Sequence, residues 1–202
     1  MKLYRKKEMV SPAYIKQFGL PLIKTERLAL SMFEVCDVDS LFELFSDDEV
    51  QKYLSPENRR NREQMEITLK KMLERWKERG FGLWRVGERH GGKMFGYCGF
   101  QYFDQTLKVE IVFAFLKNFW AKGFATEAAN ACLKFGFEEL LFERVLAATH
   151  PKNIASRRVL EKIGMSFEEK STHYGIDTLT FSISRNDFKP DDNFYELTYK
   201  QS

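Results

Sequence analysis

Lys122-Gly123-Phe124-Ala125 is a small glycine-containing turn that follows an apolar run and opens a helix-like segment, in the stretch FWAKGFATEAANACLKFGF. A helix start leaves up to about four backbone N–H groups without an intrahelical partner and carries a partial positive charge. Gly123 permits close approach, Ala121 and Ala125 leave little side chain in the way, and Lys122 supplies a cation, so these donors can converge on a phosphate. A plain turn before a helix accounts for the same residues. A second element raises the phosphate reading: HPKNIASRRVLEKIGMSF puts Asn153 and Ser156 at the start of another helix, after another strand, with Arg157 and Arg158 in its first turns. Two such strand-to-helix junctions can grip the two ends of one long phosphorylated ligand. Other phosphate loops fit poorly. The patterns GxxxxGK[ST] and GxGxxG are both absent, and Lys122 precedes its glycine instead of following it.

A carboxylate stands out just upstream. In VEIVFAFL, Glu110 alternates with Val112 and Ala114, which sets an acid on the same strand face as apolar residues. Such a setting raises a carboxyl pKa toward the range useful to a base near neutral pH. A solvated glutamate at a strand end is the competing reading.

These residues need elements to hold them. RLALSMFE (Arg27 to Glu34) reads as a first strand. DVDSLFELFSDDEVQKYLS follows, with Val38, Leu41, Phe42 and Phe45 at helical spacing and Asp37 or Asp39 as N-cap. The clearest amphipathic helix is NREQMEITLKKMLERWKERG, with Met65, Leu69, Met72, Leu73 and Trp76 on one face and Gly80 as C-terminal cap. FGLWRVGER and MFGYCGFQYF flank HGGK, a hairpin signal, and LKVEIVFAFL (Leu107 to Leu116) is a third strand in this region. It leads into the turn and its helix, on which Ala128, Cys132 and Phe135 share a face. RVLAATH is a short strand, and NIASRRVLEKIG a second amphipathic helix with Ala155, Val159 and Ile163 at four-residue intervals and Gly164 at its end. MSFEEKSTHYG and DTLTFSISRNDF close the domain. The pattern is that of one α+β domain with a mostly antiparallel sheet, over residues 21–188, between a leader (1–20) and a polar tail (189–202). The tail's Phe194, Tyr195 and Tyr199 either cover a partner subunit, as in a homodimer, or pack on their own domain.

Composition removes several function classes. The chain has 202 residues, 44% apolar and 30% charged, enough for an ordinary core and neither disordered nor membrane-spanning. A net charge of +3 is too mild to argue for nucleic acid. Cys36, Cys98 and Cys132 form no CxxC pair, and His90, His150 and His173 are the only histidines, so neither a disulfide framework nor a metal site is supported. Reduced, buried thiols and a leader without a continuous apolar region point to a cytoplasmic protein.

The pattern VEIVFAFLKNFWAKGFATEA…NIASRRVLEKIGM resembles the GNAT superfamily of acyl-CoA-dependent N-acetyltransferases, and KGFATEA with N-x-x-S-x-x-V-L-E-K-I-G resembles its RimJ/RimL-like branch. The resemblance runs from TERLAL to SRNDF. It implies a twisted mixed sheet flanked by helices, with splayed central strands and acetyl-CoA as co-substrate. The family's loop pattern Q/R-x-x-G-x-G/A falls on Trp120, Ala121, Lys122, Gly123, Phe124 and Ala125, with Thr126 next; Trp120 stands where the general pattern has Gln or Arg. The resemblance further implies that the strand through Ala114, Phe115 and Leu116 pairs with the pantetheine arm, and that Asn153 and Ser156 lie near it; Arg157 and Arg158 either reach the CoA phosphates or are plainly solvated on the helix face.

Acetylating an amine requires loss of its proton, stabilisation of charge on the thioester oxygen, and departure of a thiolate. Glu110 is the candidate base and a backbone N–H near Phe115 the candidate oxygen donor. Many family members carry a Tyr on the second helix as acid, but Leu160 holds that position here, leaving Tyr174, His150 and Ser156 as substitutes. Asp37, Asp39, Glu43, Asp47, Asp48 and Glu49 either attract a cationic amine or form a solvated helix face. The expected activity is acetyl transfer to a protein N-terminal amine or to a small-molecule amine. The alternatives are a non-catalytic acyl-CoA-binding module and an RNA-associated protein whose basic leader and ENRRNRE segment contact the nucleic acid.

Overall fold

The computed structural model describes residues 18–53 and 59–200. Most of the leader, together with Glu57 and Asn58 of ENRRNRE, lies outside the described residues. A nine-stranded sheet runs in the order β7-β8-β6-β5-β4-β3-β2-β1-β9. Its strands are β1 (Leu20–Thr25), β2 (Leu28–Ser31), β3 (Leu83–Glu88), β4 (Gly96–Tyr102), β5 (Val109–Phe115), β6 (Arg144–Thr149), β7 (Ser166–His173), β8 (Ile176–Ser184) and β9 (Tyr195–Lys200). Every neighbouring pair is antiparallel except β5 and β6, which run parallel. The helices are α1 (Val38–Ser46), the short α2 (Asp48–Gln51), α3 (Arg62–Arg79), α4 (Phe124–Glu138) and α5 (Ile154–Lys162).

The sheet separates two cores. On one side α4 buries Ala128, Cys132 and Phe135 against Trp84, Phe100, Ile111 and Phe115. On the other, α1 and α3 bury Leu41, Phe45, Met65, Leu69 and Met72 against Leu83 and Tyr97, with Val112 and Ala114 packed alongside. Because successive strand residues point to opposite faces, Glu110 shares the α1/α3 side with Val112 and Ala114. Helix α3 follows the sequence pattern closely. Asn61 and Gln64 exchange the reciprocal bonds of a capping box, and Gly80 ends the helix at φ 76°.

Four expectations need correction. The strand expected over Arg27 to Glu34 is β2 and ends at Ser31, and β1, a strand not expected from the sequence, precedes it; Thr25 Oγ1 accepts from the Leu28 N–H (3.1 Å) at the turn between them. Asp37 does occupy the N-cap position of α1, but its side chain makes no capping bond there; the carboxylate accepts from the Glu34 N–H at 2.7 Å and pairs with Arg85. The buried stripe of α5 is Leu160, continued by Ile163, whereas Ala155 is exposed. Finally, the polar tail supplies β9, an edge strand in register with all of β1 from Leu20↔Lys200 to Thr25↔Tyr195. Tyr195 and Leu197 of this strand pack on the α4-side core.

Candidate active site

The parallel contact between β5 and β6 consists of a single register pair, Glu110↔Leu146. Beyond it toward their C-terminal ends the two strands pair no further, and the sheet forks. A cleft of about 750 Å³ opens at this fork, lined by Glu110 to Phe113 of β5 and Ala147 to His150 around the end of β6. The ladder decides which backbone groups face it. The Leu116 N–H donates to Phe95 O at 2.9 Å on the β4 side. Since bonded and non-bonded positions alternate in an antiparallel pair, the amides of Phe113 and Phe115 point the other way, into the fork. The Phe115 carbonyl accepts from the Trp120 indole N–H at 2.6 Å. Leu116 therefore offers its amide to the sheet, and Phe115 offers an N–H to the gap.

Glu110 sits at the vertex and is 1% exposed. Gln101, its register partner on β4, donates to Oε1 at 2.7 Å, and the Tyr174 hydroxyl donates to the same oxygen. Burial pushes the Glu110 carboxyl up to about 7; the Gln101 and Tyr174 bonds pull it down, and Asp104 adds a smaller upward push. Burial and the neighbouring Glu110 in turn raise the Tyr174 phenol, which stays protonated at neutral pH. Tyr174 reaches Glu110 from the β7–β8 turn, where it adopts φ 55° ahead of Gly175 at φ 73°. The Asp104 N–H holds the Tyr174 hydroxyl at 2.8 Å from the facing β4–β5 turn. His173 then joins Asp104 Oδ2 to Ser171 Oγ, each at 2.9 Å. Two hairpin turns thus meet over one acid. Tyr174 stands out in the sequence as an acid candidate; Gln101, Asp104 and His173 do not, because their partners lie far along the chain or on another strand.

The glycine turn lies on the α4 side, after the end of β5. Gly123 is the N-cap residue of α4 at φ 82°, a left-handed conformation with no Cβ penalty only for glycine, and no side chain caps the helix. The first-turn amides have no partner within the helix. Arg27 secures the turn from outside. Its guanidinium donates to Lys122 O at 2.9 Å, pairs with Glu127 at 2.6 Å and lies over Phe124, 4.5 Å from the ring centre. Thr25 donates to the same Glu127 at 2.6 Å. The TER stretch before β2 thus buttresses the turn, a role with no local signal in the sequence. Trp120, Ala121 and Lys122 are exposed, and Phe124, Ala125 and Thr126 half-buried.

Asn153 caps α5 by accepting from the Ser156 N–H at 3.0 Å, and both residues line the cleft wall beside Leu160. Leu160 is 1% exposed, so no hydroxyl reaches the cleft from the position at which the resemblance expects a tyrosine. Arg157 pairs loosely with Glu161 at 3.9 Å, and its Nε has no hydrogen-bond partner among the described residues. His150 accepts from the Lys152 N–H at 3.1 Å and packs on Tyr53, which ties its Nδ1 to the backbone. The cysteines are all free, Cys36 exposed and the other two buried. The acidic run on α1 and α2 does not form a free negative patch: Asp37, Asp39, Glu43, Asp48 and Glu49 pair with Arg85, Arg62, Lys93, Arg59 and Lys117, and Asp47 caps α2.

Residues 27–166 match the family model described as an acetyltransferase (GNAT) domain. The protein YkkB of Bacillus subtilis, itself uncharacterized, is 36% identical over 72% of this chain and 85% of its own length. The uncharacterized N-acetyltransferase YoaA of the same organism is 30% identical over 81% of this chain and 96% of its own. Among solved structures, a GNAT-family acetyltransferase from Bacillus anthracis superposes with a TM-score of 0.70 at 31% identity, covering 82% of this chain and 99% of that one.

Proposed function

The chain belongs to the GNAT acetyltransferase family, and from that premise we propose that it moves an acetyl group from acetyl-CoA to a primary amine by direct attack, with Glu110 as base. The observation that carries this reading is a buried carboxyl, raised to about 7, at the vertex where β5 and β6 part. Acetyl-CoA supplies an activated acyl group as a thioester, and the residues present fit it. The uncapped α4 start at Gly123 suits the diphosphate, the outward amides of Phe113 and Phe115 suit a strand-like pantetheine arm, and Asn153 and Ser156 on the cleft wall, with Arg157 next to them in the chain, would hold that arm.

Each step then has a residue. Glu110 takes a proton from the incoming ammonium, and a pKa near the working pH makes it effective in both accepting and releasing that proton. The Phe115 N–H, fixed by the sheet, faces the negative charge that develops on the carbonyl oxygen. Tyr174 keeps the Glu110 carboxylate in one rotamer and shares its proton, so the amine's proton can pass along Glu110 and Tyr174 toward the departing sulfur. Leu160 supplies none, and the Tyr174 phenol is the hydroxyl wired to the base.

The motif KGFATEA with the NIASRRVLEKIG helix supports the RimJ/RimL-like branch and hence a protein N-terminal amine as one acceptor class; a small amine is the other. A non-catalytic binding module has no use for an acid held by Gln101 and Tyr174 in a buried site. Free-thiol release from acetyl-CoA over a panel of amines and peptides tests the reading. We expect amine-dependent release that Glu110→Gln suppresses. Tight CoA binding with no release for any amine would overturn acetyl transfer.

A further inference from the structure

The cleft has an electrostatic polarity that the acetyl-transfer chemistry does not use. Its α1/α3 side, onto which Glu110 projects, is lined by Arg60 and Arg75 beside Phe45, Tyr53, Met72 and Tyr97. Arg75 is half-buried, and no described residue forms a hydrogen bond or an ion pair with it. Burial holds its pKa below the ordinary guanidinium value, and its neighbours Arg79 and Arg60 push the same way against a smaller opposing pull from Glu78. A guanidinium nevertheless keeps its charge in such a setting. Arg60 lies 5.7 Å from the Phe45 ring centre, so its charge is directed to the same wall. The acids of the neighbouring elements are engaged elsewhere. Asp37, Asp39, Glu43, Asp48 and Glu49 all bind other cations, while Glu110 and Asp104 bind Tyr174 and His173 of the β7–β8 hairpin. Glu110, Tyr97 and Arg75 line one and the same cleft, so a single ligand seated there can meet both the acid and the guanidinium.

A diamine would meet like charge at Arg75, and a simple alkylamine would leave a half-buried cation unpaired. A molecule with an amine at one end and an acid at the other satisfies both ends. We propose that the acceptor is an amino-carboxylate: its amine faces Glu110 while its carboxylate seats on Arg75. This rests on the acetyl-transfer reading above and names its substrate class. The same chemistry is offered by a free ω-amino acid and by a peptide whose acidic side chain lies near its N-terminal amine.

The test is a set of matched acceptors assayed by free-thiol release. β-Alanine, 4-aminobutyrate and 5-aminovalerate are each compared with their carboxamides and with the diamines of equal length. A second arm compares N-terminal Ala-Glu with Ala-Gln peptides and distinguishes the peptide source from the free amino acid. Carboxylates should exceed carboxamides by about 10- to 100-fold in kcat/KM, the range of a charge-assisted bidentate contact. In Arg75→Gln that ratio should fall to near one, with CoA affinity unchanged; Arg75→Lys should restore part of it. Arg75→Met, which keeps the aliphatic packing, serves if the Gln variant does not fold. Carboxamides or diamines used as well as carboxylates would overturn the inference and leave acetyl transfer standing, as would a preference that survives loss of Arg75. Turnover of no acceptor, with CoA still bound, would overturn both.

Discussion

Replacing Glu110 by Gln should make the protein more stable and less active at the same time. The acid is 1% exposed, and its pKa of about 7 in the fold lies above the ordinary glutamate value of 4.5. Between those values the folded chain holds a proton that the unfolded chain has released, so stability falls as pH rises across that window and is level above it. Every pH unit separating the two pKa values is worth about 1.4 kcal/mol, which makes the cost of ionising Glu110 in the fold about 3 kcal/mol. Glutamine keeps an oxygen for Gln101 and Tyr174 and carries no charge. Denaturant unfolding of wild type and Glu110→Gln from pH 4 to pH 8 should therefore give curves that diverge by about 3 kcal/mol across the window, the variant being more stable at the alkaline end. Over the same range the wild-type kcat/KM should rise through an acidic limb near pH 7. The variant should lose about 100-fold or more in rate together with that limb, with CoA affinity retained. Parallel stability curves would refute the raised acid, and an unchanged rate would refute its role as base.

Two further changes probe the neighbours of that acid and the glycine turn. Tyr174→Phe removes a donor that lowers the Glu110 pKa, so the acidic limb should move to higher pH and kcat should fall by about 10-fold; a limb that stays in place would dismiss the phenol as a partner of the base. Gly123→Val puts a β-branched residue at φ 82° and a Cβ 3.3 Å from Arg27 Nη2. The left-handed strain alone is about 1–2 kcal/mol, so CoA affinity measured by calorimetry should drop by about 10-fold or more in a folded variant. Undiminished affinity would mean that the diphosphate binds elsewhere.

Local rules carry much of the fold. Helix α3 has its cap, its apolar stripe and its glycine stop within one contiguous stretch, and each is a short-range effect. The same holds for the inward face of α4 and for the alternation that brings out Glu110. The buried face of α5 lies one position from the expected one because Ala155, Val159 and Ile163 form as regular a stripe as Ser156, Leu160 and Ile163, and only packing against the sheet chooses Leu160. Strand β9 carries an alternating Tyr195, Leu197, Tyr199 pattern, but a period of two does not say which edge it will join.

The residue types and spacing determined that an acid would sit on the apolar strand before a glycine-opened helix, since both depend on neighbours within a few residues. The tertiary structure alone decided what that acid touches. Tyr174 is 64 residues from Glu110, and Asp104 is 69 from His173, so their meeting depends on two hairpins packing across the sheet. It also decided where the acids of α1 and α2 go: in sequence they read as either a cation attractor or a solvated face, and in the fold they pair with bases as remote as Lys117, while Arg75 lines the cleft. Charge in a sequence is only a count of ions; which of them remain unpaired at a site depends on contacts that close only when the chain is folded.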